Sequence, residues 1–117
     1  VDTDITVALV DVFPDGTANQ IQDGIIRAAY REDEYHPSPI TPGRVYEYVI
    51  NMAATSYLVR AGDRIRVDVS SSCFNRYDRN TNTGERYGHA FRTEVAHQAI
   101  HHSMVYPSHI LLPTVAG

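Results

Sequence analysis

The chain is expected to be all-β, of sandwich or barrel type, on three observations. Short apolar segments alternate with a period of two, strings rich in Gly and Pro separate them, and no 3.6-residue period is sustained anywhere. The reading yields about six or seven strands and no helix, in a single domain spanning residues 1–117. A chain of this length buries only about 60–70% of its unfolded surface, so a full sandwich is feasible with little margin.

The first strand runs from Ile5 to Phe13, where Ile5, Val7 and Leu9 alternate with Thr6, Ala8 and Val10. Pro14-Asp15-Gly16 follows as a turn, because Pro presets φ and Gly accepts the positive φ of a tight reversal. A second extended stretch starts near Thr17, is broken at Asp23-Gly24 by a bulge or turn, and continues to Tyr30. Three prolines make residues 31–43 a loop. Val45 to Met52 has the clearest alternation in the chain. Tyr46, Tyr48, Ile50 and Met52 form one face, and Tyr46 and Tyr48 are expected in the core. Val45 and Val49 on the other face suggest a central strand.

Ala53 to Val59 is read as a turn or a strand extension, and Ala61-Gly62-Asp63 as a reversal. Arg64 to Ser71 alternates cleanly, with Ile65, Val67 and Val69 pointing inward. The long polar stretch CFNRYDRNTNTGERYG is expected to be functional or packed on its own side chains. Arg92 to His101 and Pro107 to Val115 complete the strand candidates.

Composition excludes several classes. A formal charge of −4 argues against a nucleic-acid partner. No apolar run approaches the ~18 residues of a membrane helix, and VDTDITVALV lacks the basic region of a signal peptide. No membrane association and a cytoplasmic location are therefore expected. All ten basic residues are arginine, a bias that genomic composition produces on its own; the functional alternative is bidentate pairing with carboxylates. The single cysteine, Cys73, forms no internal disulfide and is expected to be small and half-buried.

No catalytic residue is expected. The string G-x-S-x-G is absent, and Ser70, Ser71 and Ser72 sit at a strand end without the glycines of a nucleophile elbow. Among six histidines, His97 and His101 share a face in either helix or strand, so they are weak metal candidates, with Glu94 or His109 as further ligands. The plainer reading is a polar outer face of an edge strand, with no metal and no cofactor. Asp78, Asn80 and Asn82 hold the first positions of a calcium loop, but Thr83 and His89 stand where glycine and glutamate are needed. A turn held by Asx hydrogen bonds, with Gly84 at positive φ, fits better. Phe74, Arg76, Tyr77 and Tyr87 cluster around this stretch. They serve either as an interaction surface or as packing of the loop on the sheet.

Several strings together resemble one family. VDTDITVALVDVFPDG, DGIIRAAYRE, TPGRVYEYVINM, TSYLVRAGDRIRVDVSSSCFNRYDRNTNTGE and YPSHILLPTV are similar to the C-terminal region of the cocaine-esterase / X-prolyl dipeptidyl peptidase serine hydrolases. The segment from Ala61 to Glu85 is the most specific. The resemblance implies a jelly-roll β-sandwich of galactose-binding-like type. It implies hydrolysis of esters or X-Pro peptides by a triad in a separate, preceding α/β-hydrolase domain. It also implies that this chain matches the second half of a longer domain, whose earlier strands precede Val1. Three outcomes are expected from that shortfall: a homo-oligomer or strand swap, closure into a smaller sandwich or barrel, or a fragment completed by a partner such as the α/β-hydrolase polypeptide. The alternative function is a stand-alone carbohydrate or small-ligand module, against which the absence of Trp weighs.

Overall fold

A computed structural model describes residues 1–116. Three antiparallel strands form one sheet in the order β2-β1-β3: β1 is Asp4–Val12, β2 is Ala18–Arg27 and β3 is Arg64–Ser70. The one helical element among the described residues is a 3₁₀ turn at Ala28–Tyr30. The all-β expectation holds.

The hairpin between β1 and β2 forms as its turn residues dictate. Gly16 takes φ +88°. Its N–H donates to the Phe13 carbonyl at 2.9 Å, and the Phe13 N–H donates to Thr17 at 2.8 Å. Asp15 Oδ1 accepts the Thr17 hydroxyl at 2.7 Å and its N–H at 2.9 Å. These bonds, the hydroxyl first, hold the Asp15 carboxyl below the ordinary 3.8. A carboxyl depressed in the fold contributes stability above its ordinary pKa and loses that contribution as pH falls through the lowered value. NMR titration is expected to give Asp15 a midpoint below 3.8. In Thr17→Val the midpoint should rise but stay depressed, since the backbone donor remains. An unchanged midpoint in the variant would show that the hydroxyl bond is absent in solution.

β2 is continuous, so the expected break at Asp23-Gly24 is not there. The irregularity lies earlier: Leu9 pairs with Gln22 and Val10 with Gln20, leaving Ile21 as the bulged residue. β1 is the central strand, and its two faces acquire different covers. Ile5, Val7, Leu9 and Asp11 share a face with Val69, Val67 and Ile65 of β3, through the pairs Val7–Val69, Leu9–Val67 and Asp11–Ile65. Asp4, Thr6, Ala8 and Val10 share the opposite face with Arg27, Ile25, Asp23 and Gln20 of β2.

Residues 45–60 cross the first face. Tyr46, Tyr48, Ile50 and Met52 are half-buried, whereas Val45, Glu47, Val49 and Asn51 are exposed, so the expected alternation is present. The expected central strand is not. This segment enters no ladder among the described residues, and Val49 stands exposed. Arg92–His101, Pro107–Val115 and Ala53–Val59 likewise enter no ladder among the described residues. The physical reason is common to all four. Side-chain alternation sets which residues share a face, but a strand requires a hydrogen-bonded neighbour. The count of six or seven strands is therefore corrected to three among the described residues.

The crossing is close at Gly24. A Cβ there would lie 3.1 Å from the Asn51 carbonyl oxygen, from Ile50 Cγ2 and from Met52 Cγ. Gly24→Ala is expected to force the segment outward and cost about 1–3 kcal/mol, the usual range for overpacking. Urea unfolding measures the cost, and amide exchange should quicken around Ile50. A variant as stable as the parent would mean that the contact does not form.

The molecule is more open than its length requires. Its radius of gyration is 16.3 Å, against roughly 13 Å for a compact chain of this size. Its accessible surface is 9281 Å², against roughly 6,400 Å² for a folded monomer of 13.1 kDa. Exposed apolar side chains include Ile65, Val67 and Val69 on β3, and Phe91, Val95, Met104, Leu111 and Val115 in residues 91–115.

Candidate functional site

The most elaborate constellation lies on the second face of the sheet, at the start of β1. Asp4 is 2% exposed. Arg27, its neighbour across the hairpin, donates from Nε to Oδ1 at 2.9 Å and from Nη2 to Oδ2 at 3.0 Å. Asp2 is also buried; its Oδ1 accepts the Ala29 N–H at 2.9 Å, which anchors the 3₁₀ turn. Asn80 bridges the two carboxylates through Nδ2, at 2.9 Å from Asp2 Oδ2 and 2.8 Å from Asp4 Oδ1. Gln98 donates to the Thr3 hydroxyl and to the Asp4 carbonyl. Residues from β1, β2 and the long polar loop thus meet at two buried carboxylates, and the 92–101 segment joins beside them at Thr3 and the Asp4 backbone. The pairing with Asp4 raises the Arg27 guanidinium above its ordinary pKa and keeps it charged.

The loop that carries Asn80 is a structured turn, not a cation loop. Asn80 Oδ1 accepts the Asn82 N–H at 2.9 Å, an Asx bond, and Gly84 takes φ +77° as expected. Asn82 Nδ2 donates to the Glu94 carbonyl at 2.7 Å, and the Glu94 N–H donates to Thr81 at 2.9 Å. The Asn80 side-chain oxygen, the atom a calcium loop would use at its third position, is thus an acceptor within the turn.

The four residues named for interaction separate into two pairs. Arg76 and Tyr77 fold back on β2, where Asp23 accepts Arg76 Nε at 3.2 Å and the Tyr77 hydroxyl at 3.2 Å. That contact packs the loop on the sheet, and the Arg76 guanidinium is raised by it. Phe74 and Tyr87 stay exposed. The Arg79 guanidinium lies 5.4 Å from the Phe74 ring, and the Asp78 carboxylate, as acceptor, raises the Tyr87 phenol. Arg27 and Arg76 both meet a carboxylate through two nitrogens, the geometry that arginine offers and lysine does not.

His97 and His101 are exposed on the unpaired 92–101 segment. The His101 ring packs at a tilt against Tyr106, centroids 5.4 Å apart, and the Glu94 carboxylate pairs with Arg92 at 3.3 Å. Among the described residues, no three His, Cys, Asp or Glu side chains gather as a metal set, so neither Glu94 nor His109 joins the pair. Cys73 is exposed rather than half-buried, because it follows the open edge strand β3 with nothing packed over it. The Ser70 hydroxyl donates to the Ser72 carbonyl at 3.1 Å.

Sequence reasoning passed over the buried acids Asp2, Asp4 and Asp11, and over Tyr57. Asp11, at the other end of β1, is 1% exposed and accepts the Tyr57 hydroxyl at 2.8 Å on Oδ2. The signal was available in hairpin register, since counting back from the Pro14-Gly16 turn places Arg27 opposite Asp4 once one bulge is allowed.

Comparison with known proteins agrees with this architecture. The chain is 49% identical over 117 residues to a cocaine esterase of Rhodococcus sp. (strain MB1 Bresler), covering 98% of this chain and 20% of that protein. It therefore spans about one fifth of the curated relative it matches. A crystal structure of an aminopeptidase from a marine sediment archaeon, Thaumarchaeota archaeon, superposes with a TM-score of 0.66 at 37% identity, covering 70% of this chain and 15% of that one. The family profile described as the X-Pro dipeptidyl-peptidase C-terminal non-catalytic domain matches residues 1–111. With nearly its whole length inside that match, the chain belongs to the X-Pro dipeptidyl-peptidase C-terminal non-catalytic domain family.

Proposed function

We propose that this chain is the structural, non-catalytic β-region of a serine hydrolase of that family, forming the C-terminal part of a jelly-roll sandwich. Ester or X-Pro peptide hydrolysis belongs to a separate α/β-hydrolase domain, against which the completed sandwich packs. The observation that carries this reading is the surplus surface. Roughly 2,900 Å² lies exposed beyond the area of a compact monomer, the scale of an obligate interface or of a core cut in half. It includes the apolar row Ile65, Val67 and Val69, on a strand with one free hydrogen-bonding edge among the described residues. Further strands of a β-domain satisfy both needs at once, which a sugar or other small ligand does not. No described helix is long and apolar enough to cross a membrane, and the exposed Cys73 thiol fits a reducing compartment such as the cytoplasm.

Complementation tests this. The Rhodococcus relative, truncated of the fifth that this chain matches, is expected to regain folding and ester hydrolysis when this chain is co-expressed. Light scattering should show a heterocomplex, or a homo-oligomer when the chain is alone. A monodisperse monomer that binds no hydrophobic dye and fails to complement would refute the reading. Stabilisation by members of a sugar panel would favour the ligand-module alternative.

A further inference from the structure

We draw no further inference here: the strongest candidate, the exposed patch of Phe74, Arg79 and Tyr87 on the loop that follows β3, carries nothing because nothing in the structure shows what covers it.

Discussion

Asp4→Ala is expected to lower the unfolding free energy by about 3 kcal/mol, the lower end of the range for breaking a buried charged pair. Three donors converge on this carboxylate: Nε and Nη2 of Arg27 and Nδ2 of Asn80. Removing it leaves Asn80 with Asp2 as its one remaining acceptor there and strips Arg27 of both its short bonds, in a space that water reaches poorly. Arg27 retains partial exposure, so its stranded charge costs less than a fully buried one, which is why the lower end applies. Arg27→Ala and Asn80→Ala should each cost about 1–3 kcal/mol, since each leaves the buried acid with fewer donors. The effects should not add: a double-mutant cycle on Asp4 and Arg27 is expected to give a coupling of about 1–2 kcal/mol. Urea unfolding at neutral pH provides the measurement. Faster amide exchange at residues 80–85 and at Gln98 should accompany it, because those segments reach the sheet through this cluster. A loss under about 1 kcal/mol, with loop protection intact, would show that the cluster is ornamental to the fold.

What could be read in advance follows from what alternation encodes. The face formed by Tyr46, Tyr48, Ile50 and Met52 was legible, because period-two spacing assigns sides without reference to a neighbour. The neighbour itself was not legible. The same pattern suits a hydrogen-bonded strand and an extended segment laid over a sheet, and only the close approach at Gly24 tells them apart. The turn at Gly16 and the positive φ of Gly84 were legible, since backbone geometry restricts which residues go there. The carboxylate cluster was harder. Asp2 and Asp4 look like solvated ends of a strand until Arg27 is placed across the hairpin and Asn80 is brought back from the loop. That loop was recognisable as structured from its Asx pattern, but its target lies some 76 residues away in the chain, and local spacing carries no such distance. For His97 and His101 only the spacing was legible, since it names a shared face and not the groups that other segments would bring to it.

Val67→Lys is expected to leave the sheet of the isolated chain nearly unchanged and to weaken its association at least thirtyfold, about 2 kcal/mol. Val67 sits in the middle of β3, paired with Leu9, and is 39% exposed. Within this chain its substitution creates no cavity, so the stability change should stay within about 1 kcal/mol. Against a covering strand or a second copy, the same lysine places an ammonium in the middle of the row Ile65, Val67 and Val69. Lysine on an edge strand is also the common natural device that blocks edge pairing. Asp68→Ala is the matched control. Asp68 lies on the other face of the same strand, opposite Ala8, and its ion pair with Arg66 is exposed. It should leave association unaltered, since a pair of that kind contributes at most about 1 kcal/mol. Light scattering on each variant, with complementation of the truncated relative, reads the outcome. Equal association by the parent and Val67→Lys would remove β3 from the interface and shift attention to Phe91, Met104 and Leu111 on the trailing segment, another exposed apolar surface. Loss in Val67→Lys with retention in Asp68→Ala would place the contact on one face of one strand. There the hydrophobic row, rather than the free backbone edge alone, selects the partner, because an edge by itself pairs with any extended chain, whereas a row of three branched side chains demands a complementary apolar face.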